Sequence, residues 1–468
     1  MGTQVMTARP LADDDLRARS RRRTEGLLAR PEFWYAVAAA NIGVIIFAWW
    51  TSSGFEAVRG GSDFFNGLGR ITGLLGTFLV LIQLLLMARV TVLEDAFGME
   101  RLAALHRTNG WISMELIGAH AVFQTVGYML GDGLNVVAQL GTFFTQYEGL
   151  LAATAGFMMM IAVVATSISI ARLHLSYETW YFVHLYTYLA IALAFSHQLQ
   201  TGADFAGNPA FTAYWIGLYV VVIGALLFWR VVRPLLAFER HRFHVHSIVS
   251  EAPGVTSVNL RGRDLVDFHV EPGQFLIWRF LDRHRWWQAH PFSLSGRPGG
   301  RGLRMTARQV GDFTTRLHEL KPGTPVLLEG PFGRFTPDLA RRRKTLLVAG
   351  GVGITPIRAL AEAMAGEEYD VCLIYRARRE KDLIFKTELD ELAASSDVTI
   401  HYLLTDPGTG SPGRRQWLLP DSLLRIVPDI LEREVYICGP SELTRDLART
   451  LHGIGLDPAQ VHSESFRY

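Results

Sequence analysis

Two hydrophobic patterns divide the chain. Before about residue 235 apolar residues run in long blocks; beyond about residue 241 they come in short runs punctuated by glycine and proline. Six blocks are long enough to cross about 30 Å of hydrocarbon as helices rising 1.5 Å per residue. They are Phe33–Trp50, Ile71–Ala88, Leu102–Leu130, Leu150–Ala171, Trp180–Gln198 and Phe211–Val231. In the second half, Phe243–Val249, Val255–Arg261 and Gln274–Trp278 read as strands of a small antiparallel barrel. From Lys344 onward, buried-strand runs alternate with helical patterns through Val371–Tyr375, Thr399–Leu404 and Val435–Cys438, which indicates a doubly wound parallel sheet. The expected fold class is multi-domain. A tail (1–31) leads into a six-helix transmembrane bundle (32–235), followed by an antiparallel β-barrel domain (240–338) and a doubly wound α/β domain (343–468).

Arginine positions orient the bundle, because cytoplasmic loops hold the excess of cations. Arg17, Arg19, Arg21, Arg22, Arg23 and Arg30 in the tail, then Arg89, Arg101, Arg172, Arg230, Arg233, Arg240 and Arg242, fall on one side. The connections Gly131–Gly149 and Leu199–Pro209 on the other side contain neither Lys nor Arg; Arg59 and Arg70 are the exceptions. Both termini are therefore expected in the cytoplasm, with the chain integral to a membrane, the plasma membrane by preference. The tail reads as a basic cytoplasmic segment and not as a signal peptide. Composition adds exclusions. The formal net charge of +2 and the lack of a basic stripe give no reason to expect nucleic acid. The only cysteines, Cys372 and Cys438, cannot build a four-cysteine iron–sulfur cluster.

Within the six spans there are four histidines: His106 and His120 on the third, His184 and His197 on the fifth. An imidazole in hydrocarbon is costly and marks function more often than not, although a lone one can also bridge helices by a hydrogen bond. The fourteen residues from His106 to His120 leave the two side chains about 40° apart around the helix and roughly 21 Å apart along it. The thirteen from His184 to His197 leave about 140°, so the fifth span is expected to carry a kink, a bulge or a differently angled ligand. Since both spans start inside, His106 meets His184 near the cytoplasm and His120 meets His197 near the outside. Four neutral imidazoles at two levels are the axial ligands that two six-coordinate haems need. Glu115 lies near 180° from His106 and is expected to face a neighbouring helix.

The soluble half carries ordered motifs. His290-Pro291-Phe292-Ser293 is followed by Arg308, Gly311, Asp312 and Thr314, then by Glu329-Gly330-Pro331-Phe332-Gly333. A strand then opens into Gly350-Gly351-Val352-Gly353-Ile354-Thr355-Pro356 before a helix, the context in which a glycine loop cradles phosphate. Arg376 and Arg378 end the next strand; they could pair a nucleotide 2′-phosphate or form a solvated charge run. Cys438-Gly439-Pro440 and Glu464-Ser465-Phe466 close the set.

The histidine spacings on spans three and five resemble the ferric reductase-type transmembrane domain shared by NADPH oxidases and iron or copper reductases. The later motifs resemble the FAD and NAD(P) domains of ferredoxin–NADP reductase-type proteins. This resemblance implies two haem b groups on His106/His184 and His120/His197, an FAD, and NADPH or NADH as the donor. It implies that His290, Pro291, Phe292 and Ser293 line the flavin, with Arg308, Gly311, Asp312 and Thr314 at its pyrophosphate. It further implies that Cys438 lies beside the nicotinamide, or is a plain core thiol, and that Glu464 supplies a carboxylate. Phe466 would stack on the flavin, with Tyr468 as the alternative ring. Arg70 looks like an arginine that oxidases place near the outer haem, or else snorkels to the interface; Gln124 stands where some of them carry another histidine. The implied activity is electron transfer to an extracytoplasmic small molecule, a ferric (or cupric) chelate by preference and dioxygen as the alternative. Donation to a quinone or periplasmic protein partner is the third reading.

Overall fold

A computed structural model describes residues 26–52, 54, 60–168, 177–299, 302–367, 369–405 and 416–466. The tail arginines before residue 26, Arg59, Arg172 and Tyr468 lie outside these. The chain divides into two compact units. One is helical and comprises Glu32–Val90 and Arg101–Leu226; the other comprises 26–31, Thr91–Glu100 and the chain from Leu227 onward.

The helices in chain order are α1 (Pro31–Ser52), α2 (Gly61–Met87), α3 (Thr91–Phe97), α4 (Met99–Asp132), α5 (Val136–Gln146), α6 (Leu150–Ser167), α7 (Tyr177–Thr201), α8 (Pro209–Leu227) and α9 (Arg233–His241). Among the described residues four helices are long and apolar enough to cross a membrane: α1, α2, α6 and the continuous Pro209–His241. The 34-residue α4 and 25-residue α7 have the length but more polar sequence, because they hold the histidines. Leu74, Phe78 and Leu81 of α2, Ile191 of α7, and Trp215 and Tyr219 of α8 form a shared core. Small residues bring backbones together where side chains would hold them apart. A Cβ on Gly156 would lie 2.6 Å from the Ala190 carbonyl oxygen, so α6 and α7 meet there backbone to backbone.

α7 is α-helical throughout, with no π bulge, and a π segment lies at Phe228–Val232 in the last helix. Two expectations change. Glu115 is exposed on the outward face of α4 and meets no neighbouring helix through its burial. The outer connection after α4 contains α5, capped by the Asn135 side chain accepting from the Ala138 N–H at 3.0 Å.

The other unit holds two antiparallel three-stranded sheets and one parallel sheet. Strands β1 (His244–Ala252), β2 (Val255–Arg261) and β5 (Leu303–Arg308) form the first; β3 (Phe275–Phe280), β4 (His290–Ser293) and β6 (Val326–Phe332) form the second. Both bury inward residues in a common core that includes Trp278, Phe280, Leu294, Met305 and Leu328. The parallel sheet has the order β11 (Val461–Phe466), β10 (Glu434–Pro440), β7 (Lys344–Gly350), β8 (Asp370–Ala377), β9 (Val398–Leu404). Successive residues of β7 enter different cores, Leu347 and Ala349 one and Leu346 and Val348 the other, so the sheet is buried on both faces.

Candidate functional site

In the helical unit the histidine rings of α4 and α7 face each other. His106 and His184 have ring centroids 6.0 Å apart at an interplanar angle of 61°. Two metal–imidazole bonds of about 2 Å, plus about 1 Å from each ring centre to its edge, also sum to about 6 Å. His120 and His197 lie within electrostatic reach of each other. The tautomers on α4 follow from the neighbours. His106 Nδ1 is 3.3 Å from the Gln83 carbonyl oxygen and His120 Nδ1 is 2.7 Å from that of Gly69. A carbonyl only accepts, so Nδ1 carries the proton and Nε2 keeps the lone pair that a metal uses.

α2 therefore aims both α4 imidazoles. Gln83 is fixed in turn: its Nε2 donates to the His106 carbonyl at 2.7 Å, and Asn109 donates to its Oε1 at 2.7 Å. On α7, His184 stacks on Trp180 at 5.2 Å, and the Nδ1 atoms of His184 and His197 are buried without a hydrogen-bond partner. Among the described residues no group of three or more His, Cys, Asp or Glu converges on one point. Two imidazoles per level suit iron that brings its own equatorial nitrogens, and do not suit a bare ion.

The sequence missed the partners of this arrangement. Arg70 does not snorkel: its Nε donates to Asp204 Oδ2 at 2.9 Å, a second nitrogen donates to Oδ1, and Ser52 Oγ donates to the same oxygen at 2.5 Å. Asp204 is 2% exposed, so its charge is matched by Arg70 alone among the described ion pairs. A lone acid in a loop free of cations, opposite the exceptional arginine, was the available signal. Gln124 points at α2, its Nε2 donating to the Asn66 carbonyl at 3.3 Å.

In the other unit β4 presents His290, Pro291, Phe292 and Ser293, paired antiparallel with Phe275–Trp278 of β3. His290 and Phe292 both lie against Phe313, at 4.0 and 6.0 Å between centroids. Ser293 is buried with its Oγ unpartnered, the state of a hydroxyl that awaits a ligand acceptor or donor. Arg308 is exposed at the end of β5, followed by the single turn Asp312–Thr315. Thr314 Oγ1 accepts from the N–H groups of Val310 and Gly311, at 2.9 and 3.2 Å. Thr314 therefore shapes the loop, and the Gly311 amide is already committed.

The glycine loop follows β7 directly. Gly351 has φ +59°, and a Cβ on Gly353 would lie 2.2 Å from the Cys438 carbonyl oxygen. Only glycine lets the loop sit this close to Cys438-Gly439-Pro440. Thr355 Oγ1 donates to the Val352 carbonyl at 3.0 Å and Pro356 is in the first turn of the helix Ile354–Gly366, here α10. Arg376 is half-buried opposite Gly350 on β8, while Arg378 is exposed beyond the strand end.

Register puts Cys438 between Ala349 and Glu464. The thiol is wholly buried, and burial together with Glu464 pushes it well above its ordinary value, so it stays protonated. Glu464 is half-buried, but its Oε2 is covered and has no hydrogen-bond partner. Burial, then the charges of Glu100 and Glu94, push its carboxyl up to about 8. It is a neutral acid at pH 7 and can donate a hydrogen bond. Phe466 continues β11 two residues further on.

Two further features escaped the sequence reading. Glu94 on α3, 4% exposed, accepts from the Gly333 N–H at 2.6 Å and so grips the loop after β6. Glu388, on the helix Lys386–Ser395 (α11), accepts from Arg304 of β5 at 2.9 and 3.0 Å and pairs with Arg358 of α10 at 2.6 Å. Both arginines also donate to the Ser295 carbonyl, at 2.8 and 3.0 Å. These contacts latch the antiparallel sheets to the parallel one.

Comparison with known proteins now bears on this arrangement. Family profiles match in three places: a ferric reductase like transmembrane component at residues 72–195, an FAD-binding domain at 249–335 and an oxidoreductase NAD-binding domain at 347–449. The glycine betaine monooxygenase reductase subunit of Pseudomonas aeruginosa is 28% identical over 235 residues, 48% of this chain and 64% of its own length. This chain thus spans less than two thirds of that relative. The stachydrine N-demethylase reductase subunit of Rhizobium meliloti is 31% identical over 251 residues, 52% of this chain and 68% of its own. Among solved structures, the flavohaem-like FAD/NAD-binding domain of nitric oxide dioxygenase from Vibrio cholerae matches 48% of this chain and 99% of its own, with 25% identity and a TM-score of 0.43. The chain thus belongs, through its second half, with the FAD- and NAD-binding reductases, and residues 72–195 ahead of that half match a ferric reductase like transmembrane component.

Proposed function

We propose that this chain carries electrons from cytoplasmic NAD(P)H across a bilayer to an extracytoplasmic acceptor, most favourably a ferric (or cupric) chelate. His106 and His184 would hold one haem b, and His120 and His197 a second; the six helices would enclose them with both termini inside. When bound, FAD would supply hydride acceptance and the haems single-electron transfer, chemistry that side chains alone cannot supply. The observation that carries the reading is the facing pair His106/His184, 6.0 Å between centroids, with the α4 imidazoles held as Nδ1–H tautomers by backbone carbonyls.

The chain's own residues have distinct tasks. Gln83 and the Gly69 carbonyl hold the imidazoles with Nδ1 protonated, which would leave Nε2 free to ligate a haem iron. His290, Pro291, Phe292 and Ser293 form the flavin wall, and Ser293 Oγ offers the hydrogen bond that no protein group takes. Arg308, Asp312 and the turn shaped by Thr314 around Gly311 receive the pyrophosphate. Gly350, Gly351 and Gly353, with Thr355 and Pro356, cradle the dinucleotide phosphates. Gly439 and Pro440 shape the strand end beside them. Arg376 and Arg378 favour NADPH. Cys438 and protonated Glu464 line the place where hydride passes, and Phe466 follows Glu464 at the spacing of a ring that covers the flavin.

With both imidazoles of each tier as ligands, His106/His184 and His120/His197 would leave the acceptor no iron site to bind, which would make its reduction outer-sphere. Dioxygen is a second acceptor by the same route; Arg70, which suggested it, is occupied by Asp204 and Ser52. A donor-subunit role is favoured by a different observation: the relatives named above are themselves reductase subunits.

Anaerobic spectra with NADPH, followed by reoxidation with air or ferric chelate, test the whole reading. Wild type should show two b-haems per chain, reduced only when FAD is present. His184→Leu should leave the outer haem unreduced by NADPH, and His120→Leu should spare flavin and inner-haem reduction. A purified protein with no Soret band sinks the haem assignment. Turnover that needs an added protein would move the assignment to a donor subunit.

A further inference from the structure

We propose that a cavity at the end of the last helix binds the anionic headgroup of a phospholipid. The inference rests on the reading that Pro209–His241 leaves the bilayer here, its apolar stretch giving way to Trp229, Arg230 and Arg233. Aromatic and cationic side chains in that order mark the level of the headgroups. The cavity measures about 340 Å³ and lies between α9, the loop at Asp267–His269 and the end of β6. Glu329, Gly330, Pro331 and Phe332 of the motif ahead of the glycine loop line it, but none of the residues given a role at the flavin or the dinucleotide does.

Charge selects the occupant. Arg233, Arg240, His241 and His269 face the cavity together with Asp267 and Glu329. The two acids are already answered: Arg240 donates to Asp267 at 2.6 Å, and Arg279 lies 3.8 Å from Glu329. His241 and His269 turn Nδ1 to the carbonyls of Arg263 and Asp267, at 3.1 and 2.9 Å. Arg233 is half-buried, yet its guanidinium has no hydrogen bond and no carboxylate within ion-pair distance among the described residues. The acid whose charge it feels, Glu94, is engaged by the Gly333 amide. One cation is left over in a polar cavity, which favours a phosphate.

The flank selects a lipid over a free anion. Leu227, Phe228, Val231, Val232, Leu235 and Leu236 are 42 to 62% exposed, in one run that continues from the apolar span. Acyl chains would lie along this strip while the phosphate meets Arg233. Bound there, the lipid ties α9 to β6, whose following residue Gly333 is held by Glu94.

The test uses the full-length holoprotein in nanodiscs of phosphatidylcholine, with or without phosphatidylglycerol, and native mass spectrometry of the lipid retained. One phosphatidylglycerol per chain should survive delipidation, and Arg233→Gln should weaken its retention roughly fivefold. Arg230→Gln, on the same helix but outside the cavity, should leave retention unchanged. Flavin and haem content report that both variants fold. Equal retention of the two lipids, or equal losses from both variants, would overturn the site in favour of diffuse surface attraction. Millimolar inorganic phosphate displacing the retained lipid, or stabilising the protein equally in pure phosphatidylcholine, would overturn the lipid as its source. A chain that stays soluble without detergent would overturn the membrane reading and this proposal together. A chain that embeds but retains no phosphatidylglycerol overturns this proposal alone.

Discussion

Glu464 is the residue whose protonation most affects the reductase. Its carboxyl, at about 8, lies above the ordinary 4.5, with burial the larger cause and Glu100 and Glu94 the next. The native state therefore holds a proton that the unfolded chain releases. This group's stabilising contribution is full below the ordinary carboxylate range and is lost as pH rises through about 8. Thermal unfolding should show Tm falling by roughly a few degrees over that window, and Glu464→Gln should flatten the slope. A slope unchanged in the variant would mean that another group titrates. The same proton makes Glu464 a donor at pH 7, so flavin reduction by NADPH should slow above about 8 in the wild type only. The Glu464-x-Phe466 spacing and the Gly-Pro neighbours of Cys438 drew attention to these residues in the sequence; their pairing across β10 and β11 is what the fold adds. Glu94 was not legible. It sits in a seven-residue helix between two apolar blocks, where an acid reads as an ordinary connector, and only folding brings it to Gly333.

At the level of elements, close approach and latching decide what the sites can do. A Cβ on Gly73 of α2 would lie 2.5 Å from His120 Nδ1, so any side chain there displaces the ring that the Gly69 carbonyl orients. Gly73→Val should yield protein with the outer haem lost and the inner one kept, read as roughly half the pyridine haemochromogen per chain. Full haem content would show that His120 is not a ligand. The latch on Glu388 makes a separate claim. Burial raises its carboxyl, but the paired Arg304 and Arg358 outweigh that and hold it below the usual range. Its contribution is therefore present at neutral pH and lost as pH falls through the lowered value. Glu388→Gln leaves two part-buried guanidinium groups short of a partner and should cost about 1–3 kcal/mol in urea unfolding. It should also slow NADPH-to-flavin transfer without changing FAD content. Strand positions were readable from alternation and turn residues, β2 to the residue; the latch was not, since nothing local joins Arg304 to a helix more than eighty positions later. α5 was missed because its apolar face reads as a short loop run, and of the ways to reconcile the histidines of α7 the helix carries no bulge.

For the molecule as a whole, the order of motifs was legible from end to end, because long apolar blocks and glycine loops are both local signals. The proposed direction of electron flow rests on arginines that gather on one side of the spans. That direction has a measurable consequence. If cofactors on His106/His184 and His120/His197 carry single electrons from inside to outside, each electron moves one negative charge across the bilayer. With the interior negative this motion gains roughly 2.3 kcal/mol per 100 mV, and without a counter-ion each turnover erodes that gain. Sealed proteoliposomes supplied with NADPH on the reductase side and an impermeant ferric chelate on the other should therefore reduce the chelate in a short burst and then stall. Valinomycin with potassium should restore steady turnover, and a potassium diffusion potential that makes the NADPH side negative should speed it. The Glu388→Gln variant, limited earlier at flavin reduction, should respond less. Turnover indifferent to valinomycin, with both substrates confirmed on opposite sides, would mean that electrons leave the protein on the side where they entered. The histidine tiers would then serve some purpose other than crossing the membrane.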